Sequence, residues 1–253
     1  ARRKSDNTVV LIKQSTAMHL FDDEINKLKQ ECKTAELIGY KATLRLPDTQ
    51  NGHCAIIYES CDGVFLNRLL ETQSLSIDER IHLFKVASKS LNELQKKNII
   101  HFGIRLDTTL LRNNNEETLF FSLGDTAILN EGETFFPGNH HYTLDVLKYL
   151  PPELTGKIYA TVDLRTSFYQ LGIMFYYIFT GRFPFESSIP EKLLYAQAFE
   201  KPTQPHVIKQ EVPEWISAII MKLLEKKPDD RYQTATAICF DLENFNSETK
   251  FIP

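Results

Sequence analysis

Residue types that could do acid–base chemistry occur together in one stretch that could form a catalytic loop. His101 and Asp107 share the stretch NIIHFGIRLDTTLL at 98–111, and Asp125 follows it in FFSLGD. A histidine is a common general acid or base, and an aspartate can accept a proton or hold a divalent cation. His101 lies among apolar residues, so we expect a packed, hydrogen-bonded core histidine. We expect Asp107 and Asp125 to be exposed loop carboxylates.

Metal-binding patterns are also missing from the sequence. Its cysteines are scattered without a C-x-x-C pair, so neither a zinc site nor a disulfide framework is predicted, and the reducing cytoplasm fits best. They are Cys32, Cys54, Cys61 and Cys239. His140 and His141 are expected to be solvated because no third ligand is apparent. We therefore expect no metal.

Composition bounds the class of protein. The chain has 253 residues, of which 42% are hydrophobic and 25% charged, as in a globular domain. A net charge of -4 gives no reason to expect a nucleic acid partner. The apolar run IMFYYIF at 173–179 is far shorter than the roughly 18 residues of a membrane span, so it predicts a core helix and no membrane insertion. The chain opens without methionine or a signal peptide, and we expect an excised piece of a longer protein.

Hydrophobic periodicity predicts an α+β fold. TVVLIKQ at 8–14 reads as a strand, 19–37 as an amphipathic helix, and YKATLRL with HCAIIYES as a hairpin. Ser76 and Glu79 form a capping box at the start of a helix over 76–98. TLLR and TLFFSL read as short strands, 124–150 as irregular, and further helices are predicted near 163–180, 190–199, 213–225 and 233–245. A small β-rich lobe would thus precede a larger helical lobe, joined near 59–63.

The order of motifs resembles the eukaryotic-type Ser/Thr protein kinase family over essentially the whole chain. The matching segments are VLIK, FDDEI, IYESCDG, IIHFGIRLDTTLL, FFSLGD, LPPELTG, VDLRTSFYQLGIMFYYIFTGRFPFE and LLEKKPDDRYQTA. This resemblance implies a single two-lobed domain over 1–253. Its N-lobe would be 1–60, its hinge 59–63 and its C-lobe 64–253. The glycine-rich phosphate loop would lie upstream of residue 1.

The resemblance also implies that no catalytic residue is intact. Gly103 stands where the family has the aspartate that orients the substrate hydroxyl. Thr108 replaces the asparagine and Ser122 the aspartate that hold magnesium. Phe102 replaces the arginine that reads activation-loop phosphate, and Ser167 replaces the buried aspartate that pins the catalytic loop.

Other positions of the family have retained or altered counterparts. Lys13 would meet nucleotide phosphates if these still bind, held by Glu24, although their separation of 11 residues is short. Leu11 and Tyr58 would narrow the adenine slot, whose remaining lining includes Glu59 and Leu110. The structural positions are an apolar column of Leu28, His101 and Leu123, and a buried ion pair between Glu153 and Arg231.

The resemblance therefore predicts a pseudokinase, a regulatory or scaffolding module with weak or no ATP binding and no cofactor. The segment LPPELTGKIYATVDLRTSFYQLGIMFYYIFTGRFPFE is most similar to kinase-like domains of large signalling proteins that carry ATPase and histidine kinase modules. Partners would then be proteins or its own downstream domains. One alternative is a low-activity Ser/Thr kinase that uses ATP, magnesium and Lys13 with Asp107 or Asp125. A second alternative is an ATP-binding sensor without phosphotransfer.

Overall fold

The computed structural model describes residues 1–15, 22–46, 53–59, 63–112, 117–120, 126–128 and 143–245. The elements within these ranges form a small lobe built on an antiparallel sheet, followed by a larger helical lobe. The predicted α+β class is therefore confirmed. No helix in these ranges is both long enough and apolar enough to cross a membrane.

The small lobe contains one helix and a three-stranded sheet. Strand β1 (Val10–Gln14) is followed by helix α1 (Asp22–Leu37), strand β2 (Ala42–Arg45) and strand β3 (Ala55–Glu59). β3 lies in the middle and pairs antiparallel with both other strands, so that Lys13 is opposite Ile56. Ala35, Ala42, Ile56 and Tyr58 form the buried apolar cluster of this lobe, joined from the large lobe by Leu110.

The chain enters the large lobe through strand β4 (Val64–Phe65) and helix α2 (Leu66–Thr72). Gly63 immediately precedes β4 and lies against the backbone of Leu111. A Cβ atom at position 63 would be 2.1 Å from the Leu111 carbonyl oxygen, which no side chain tolerates. The close pairing at the junction of the lobes therefore requires glycine.

Long helices carry the large lobe. Helix α3 (Ile77–Lys96) begins at the predicted capping box, in which Glu79 N donates to Ser76 Oγ and Ser76 N donates to Glu79. Next come short strands β5 (Ile99–His101), β6 (Thr109–Arg112), β7 (Glu117–Phe120) and β8 (Thr126–Ile128). β6 pairs with β4 and β7, and β5 pairs with β8, so the segment between β5 and β6 connects these two small sheets.

The helices that follow build the core. Helix α4 (Leu144–Leu147) precedes α5 (Leu164–Thr180), which is buried along most of its length. Phe175 of α5 stacks on Phe84 of α3 with ring centroids 4.1 Å apart. The remaining helices are α6 (Pro190–Phe199), α7 (Pro205–Ile208), α8 (Glu214–Leu223) and α9 (Ala235–Asn244).

The long periodic segments were predicted correctly, and several short elements were missed, namely β4, β5, β8, α2, α4 and α7. The structure confirms the strands at β1, β2, β3, β6 and β7 and the helices at α1, α3, α5, α6, α8 and α9. The predicted irregular stretch 124–150 is wrong in part, because it contains β8 and α4. A strand of two or three residues such as β4 or β8 has too little sequence for a clear period, and pairing with a distant strand forms it.

Candidate functional site

Lys13 of β1 forms an ion pair with Glu31 of α1. The Lys13 Nζ atom lies 2.7 Å from Glu31 Oε2 and 3.0 Å from Oε1. The Glu31 side chain is only 1% exposed, whereas that of Lys13 is 40% exposed. A carboxylate is stable in such a buried place only when it is paired and hydrogen-bonded, so the pair fixes α1 against β1.

The prediction that Glu24 holds Lys13 is wrong. Glu24 is exposed and lies seven residues before Glu31, almost two helical turns earlier. The short separation of 11 residues between Lys13 and Glu24 already indicated the error in the sequence. The observed partner, Glu31, lies 18 residues from Lys13. The packing of α1 on the sheet decides which of its residues lies next to Lys13. The spacing of residues along the chain does not contain this information.

Tyr58 of β3 provides a second donor to the same carboxylate. Its hydroxyl donates to Glu31 Oε1. Tyr58 is fully buried, and the sequence predicted only that its ring would narrow the cleft. Two strands of the sheet therefore hold α1 through one carboxylate.

The apolar residues expected to line an adenine slot belong to one cluster. Leu110 and Tyr58 are buried in it, and Leu11 packs against it from β1. Glu59, at the end of β3, instead pairs with cations, because Arg3 lies 2.9 Å and Lys41 3.0 Å from its carboxylate. Hydrogen bonds from Lys41 and Arg3 lower the pKa of Glu59 below its usual value.

Uncharged side chains of α5 hold the loop that follows His101. The backbone N of His101 donates to Ser167 Oγ, and Ser167 Oγ lies 3.0 Å from the His101 carbonyl oxygen to which it donates. Gln170 accepts from Ile104 N at 3.2 Å and donates to the Phe102 carbonyl at 2.6 Å. Ser167 thus pins the loop without the carboxylate that the resemblance implies at this position.

His101 is a buried core histidine, as predicted. Its Nδ1 accepts a hydrogen bond from Gly103 N at 3.0 Å, and its ring meets the edge of Phe120 with centroids 6.0 Å apart. The Nδ1 atom is therefore engaged in holding the backbone of its own loop.

Thr108 is buried, and its hydroxyl is committed to the loop backbone. It donates to the Gly103 carbonyl oxygen at 2.5 Å and accepts from Arg105 N at 3.0 Å. Asp107 is 55% exposed and bonds the Arg105 guanidinium at 2.9 and 3.1 Å. The expectation of an exposed carboxylate at 107 is confirmed.

Several predicted site residues lie outside the described residues. They are Ser122, Leu123, Asp125, His140 and His141. The column of Leu28, His101 and Leu123 therefore stays a prediction, and Leu28 itself packs at the partly buried edge of the small-lobe cluster. Another contact joins α1 to this region, because the hydroxyl groups of Thr34 and Thr126 lie 3.2 Å apart. Thr126 belongs to β8 and lies opposite His101 of β5.

The ion pair predicted between Glu153 and Arg231 is present and fully buried. Two parallel hydrogen bonds of 2.8 and 2.7 Å join the guanidinium to the carboxylate. Arg231 also donates to the carbonyl oxygens of Glu225, Lys226 and Arg165, so its hydrogen-bonding capacity is used. Such a pair fixes the geometry of the large lobe, and loss of one partner costs about 3 to 5 kcal/mol.

Comparisons with known proteins agree with this architecture. A family model described as "Protein kinase domain" matches residues 1–241. The chain is 28% identical over 224 residues to Serine/threonine-protein kinase PknB of Mycolicibacterium smegmatis, covering 85% of this chain and 35% of that protein. It is 35% identical over 137 residues to Hybrid signal transduction histidine kinase G of Dictyostelium discoideum, covering 53% of this chain and 4% of that protein.

A solved structure gives the same fold. The autoinhibited serine kinase domain of the giant muscle protein titin matches with a TM-score of 0.73 and 18% identity, over 98% of this chain and 77% of that one. The curated relatives are much longer than the chain, which spans about a third of the Ser/Thr kinase and 4% of the histidine kinase.

Proposed function

The chain belongs to the protein kinase domain family, and from this premise we propose that it is a member without phosphotransfer activity that acts as a regulatory or scaffolding module in signal transduction. The observation that carries the proposal is the loop from His101 to Thr109. Its central position is Gly103, and the hydroxyl of Thr108 bonds back to the Gly103 carbonyl. At Gly103 and Thr108 this loop offers no carboxylate to accept the proton of a substrate hydroxyl, and the carboxylate of Asp107 is bonded to Arg105.

Magnesium, which the family's chemistry requires, does not fit the described residues. A divalent cation of this kind prefers carboxylate oxygens, and the Thr108 hydroxyl is already engaged as donor and acceptor. Asp107 is held by Arg105 on the exposed side of the loop. Within the described ranges no three His, Cys, Asp or Glu side chains are grouped closely enough to hold a metal ion.

The setting of the module is part of the proposal. The match to a hybrid signal transduction histidine kinase, of which this chain spans only 4%, supports a place in a larger signalling protein. Its partners would then be other domains of the same polypeptide or other proteins, in the cytoplasm. The net charge of -4 speaks against nucleic acid.

Phosphotransfer assays test the proposal. We expect the chain, incubated with radiolabelled ATP, magnesium and generic Ser/Thr acceptor proteins, to transfer no more phosphate than its Lys13→Ala variant. Transfer that Lys13→Ala abolishes would instead establish a low-activity kinase. Asp107→Asn and Asp125→Asn would then show which carboxylate takes part, with Asp145→Asn as the control because that carboxylate is exposed and bonded to Lys148.

A second candidate function is an ATP sensor that binds nucleotide without transferring phosphate. The observation that favours it is the intact pair of Lys13 and Glu31, since this lysine contacts phosphates in the family. A ligand at 100 times its Kd stabilises the folded state by about 2.7 kcal/mol. ATP titrated to millimolar concentration with and without magnesium would then raise Tm in the wild type and in Lys41→Ala, but not in Lys13→Ala. No rise in Tm excludes the sensor.

A further inference from the structure

The turn that ends α1 ties Tyr40 to the helix. Gly39 N donates to the Glu36 carbonyl oxygen at 3.0 Å, and Tyr40 N donates to the Ala35 carbonyl oxygen at 2.8 Å. The turn passes through Gly39 with a φ of 88°, in the left-handed region that favours glycine. Because its backbone is bonded to α1, Tyr40 moves together with the end of this helix.

The side chain of Tyr40 contacts two residues of the large lobe. Arg112 Nη1 of β6 donates to the Tyr40 hydroxyl at 3.1 Å, and this hydroxyl donates to Glu117 Oε1 of β7 at 3.3 Å. The Arg112 guanidinium also lies over the Tyr40 ring, 5.4 Å from its centroid, in a cation–π contact. We call these three residues the interlobe clasp.

Arg112 and Glu117 also pair with each other. They lie opposite each other in the antiparallel strands β6 and β7, and Arg112 Nη1 is 3.4 Å from Glu117 Oε2. If Tyr40 moves away, the guanidinium and the carboxylate therefore stay paired within the large lobe. A charge left without a partner is the main cost of breaking a buried ion pair, and opening the clasp avoids it.

The clasp is only partly shielded from water. The Arg112 side chain is 17% exposed and the Glu117 side chain is 43% exposed. Polar contacts that water can reach contribute little net free energy, because water replaces the partner that is lost. The closed and the open clasp are therefore close in free energy, as a two-state element requires.

Two other contacts hold the same end of α1 to the large lobe. Lys97, at the end of α3, donates to the carbonyl oxygen of Leu37. The hydroxyl groups of Thr34 in α1 and Thr126 in β8 lie 3.2 Å apart. Neither contact involves Lys13. They keep α1 attached when the clasp opens, so that the small lobe would turn about the end of this helix.

We propose that the interlobe clasp is a two-state device that sets the angle between the lobes. When it is closed, it joins the end of α1 to β6 and β7. When it is open, the small lobe turns away from these strands. The device needs neither nucleotide nor metal, so it does not depend on the proposed loss of phosphotransfer. It offers a conformational change that a partner bound to either lobe can drive.

Backbone amide hydrogen exchange in the 253-residue chain tests the clasp. Tyr40→Phe keeps the ring and removes the hydroxyl that bonds Arg112 and Glu117. We expect amides of 40–45 and 117–120 to exchange about threefold faster, and those of 164–180 in α5 to keep their rates. Tyr159→Phe removes a fully exposed hydroxyl and should change none of these rates. Unchanged exchange in Tyr40→Phe, or equal acceleration in α5, would overturn the proposal.

A double-variant comparison shows whether Tyr40 acts through Glu117. In the background of Glu117→Ala the hydroxyl has lost its acceptor, so Tyr40→Phe should accelerate exchange at 40–45 less than it does in the wild type. The background of Glu93→Ala is the matched control, because Glu93 is bonded to Lys96 on α3, and there the full effect should remain. Equal effects in both backgrounds would show that the clasp does not act as a unit.

A distance between the lobes tests the change of angle directly. Fluorophores are attached through non-natural amino acids at position 45 in the small lobe and position 240 in the large lobe, both of which are exposed. Energy transfer between them should change in Tyr40→Phe and stay the same in Tyr159→Phe. Equal energy transfer in the two variants would contradict a clasp that sets the lobe angle.

Discussion

At the scale of single residues, the hydroxyl of Tyr58 is an important contact of the small lobe. Tyr58 of β3 is fully buried, and its OH donates to the buried carboxylate of Glu31. The same carboxylate receives Lys13. The hydroxyl of Tyr58 therefore adds to Lys13 in stabilising the buried charge of Glu31.

Tyr58→Phe should lower the free energy of unfolding by about 1.5 to 3 kcal/mol, the range for a hydrogen bond to a charged group. The substitution keeps the ring and removes only the hydroxyl. Urea denaturation measures the change, and Tyr159→Phe is the matched control because Tyr159 is fully exposed. Equal stabilities of the two variants would show that the bond to Glu31 contributes nothing.

At the scale of elements, α1 is held by contacts at its second half. Glu31 bonds Lys13 and Tyr58, Thr34 meets Thr126, and Lys97 bonds the last carbonyl of the helix. A cation at a helix C-terminus is favourable because it opposes the partial negative charge there. We therefore expect the position of α1 to depend more on the buried Glu31 than on the exposed Glu24.

Glu31→Gln should therefore lower Tm and speed amide hydrogen exchange along α1, because Lys13 loses its charged partner and a buried amide replaces the carboxylate. Glu24→Gln, the same change on an exposed position of the same helix, should have a much smaller effect. Differential scanning calorimetry and hydrogen exchange measure both. A larger effect of Glu24→Gln would restore the original prediction for Lys13.

Periodicity predicted elements better than contacts. The helix around Leu91 and the strand around Ile12 follow from spacing and composition, because many residues contribute to each pattern. Ser167 was interpreted as the loss of a pinning aspartate, yet its hydroxyl bonds both the N and the carbonyl oxygen of His101. The residue type showed correctly that position 167 carries no charge. Whether the short Ser167 side chain still reaches the backbone of His101 depends on a distance that the fold sets.

At the scale of the whole molecule, buried cations organise the large lobe. Arg231 pairs with Glu153, and the neighbouring Lys226 is half-buried, donating to carbonyl oxygens of Ala196 and Gln197. Burial and the nearby charge of Arg231 lower the pKa of Lys226 to about 7. Stability of the lobe is therefore linked to pH near neutrality.

The free energy of unfolding should rise with pH above about 7. The unfolded lysine keeps its proton up to its ordinary pKa of 10.5, whereas the folded one releases it near 7, so the unfolded chain binds more protons in this window. Denaturation at several pH values should show that Lys226→Met loses this slope. Lys227→Met, at the exposed neighbouring position, should keep it. The same slope in both variants would contradict the prediction.

The loop between His101 and Thr109 is fastened by Ser167, Gln170 and Thr108, none of which carries a charge. Bonds between neutral groups are not weakened by dissolved salt in the way that exposed ion pairs are. They also need no divalent cation to form. A partner that recognised this loop would therefore meet a backbone whose shape depends neither on salt nor on a bound cation.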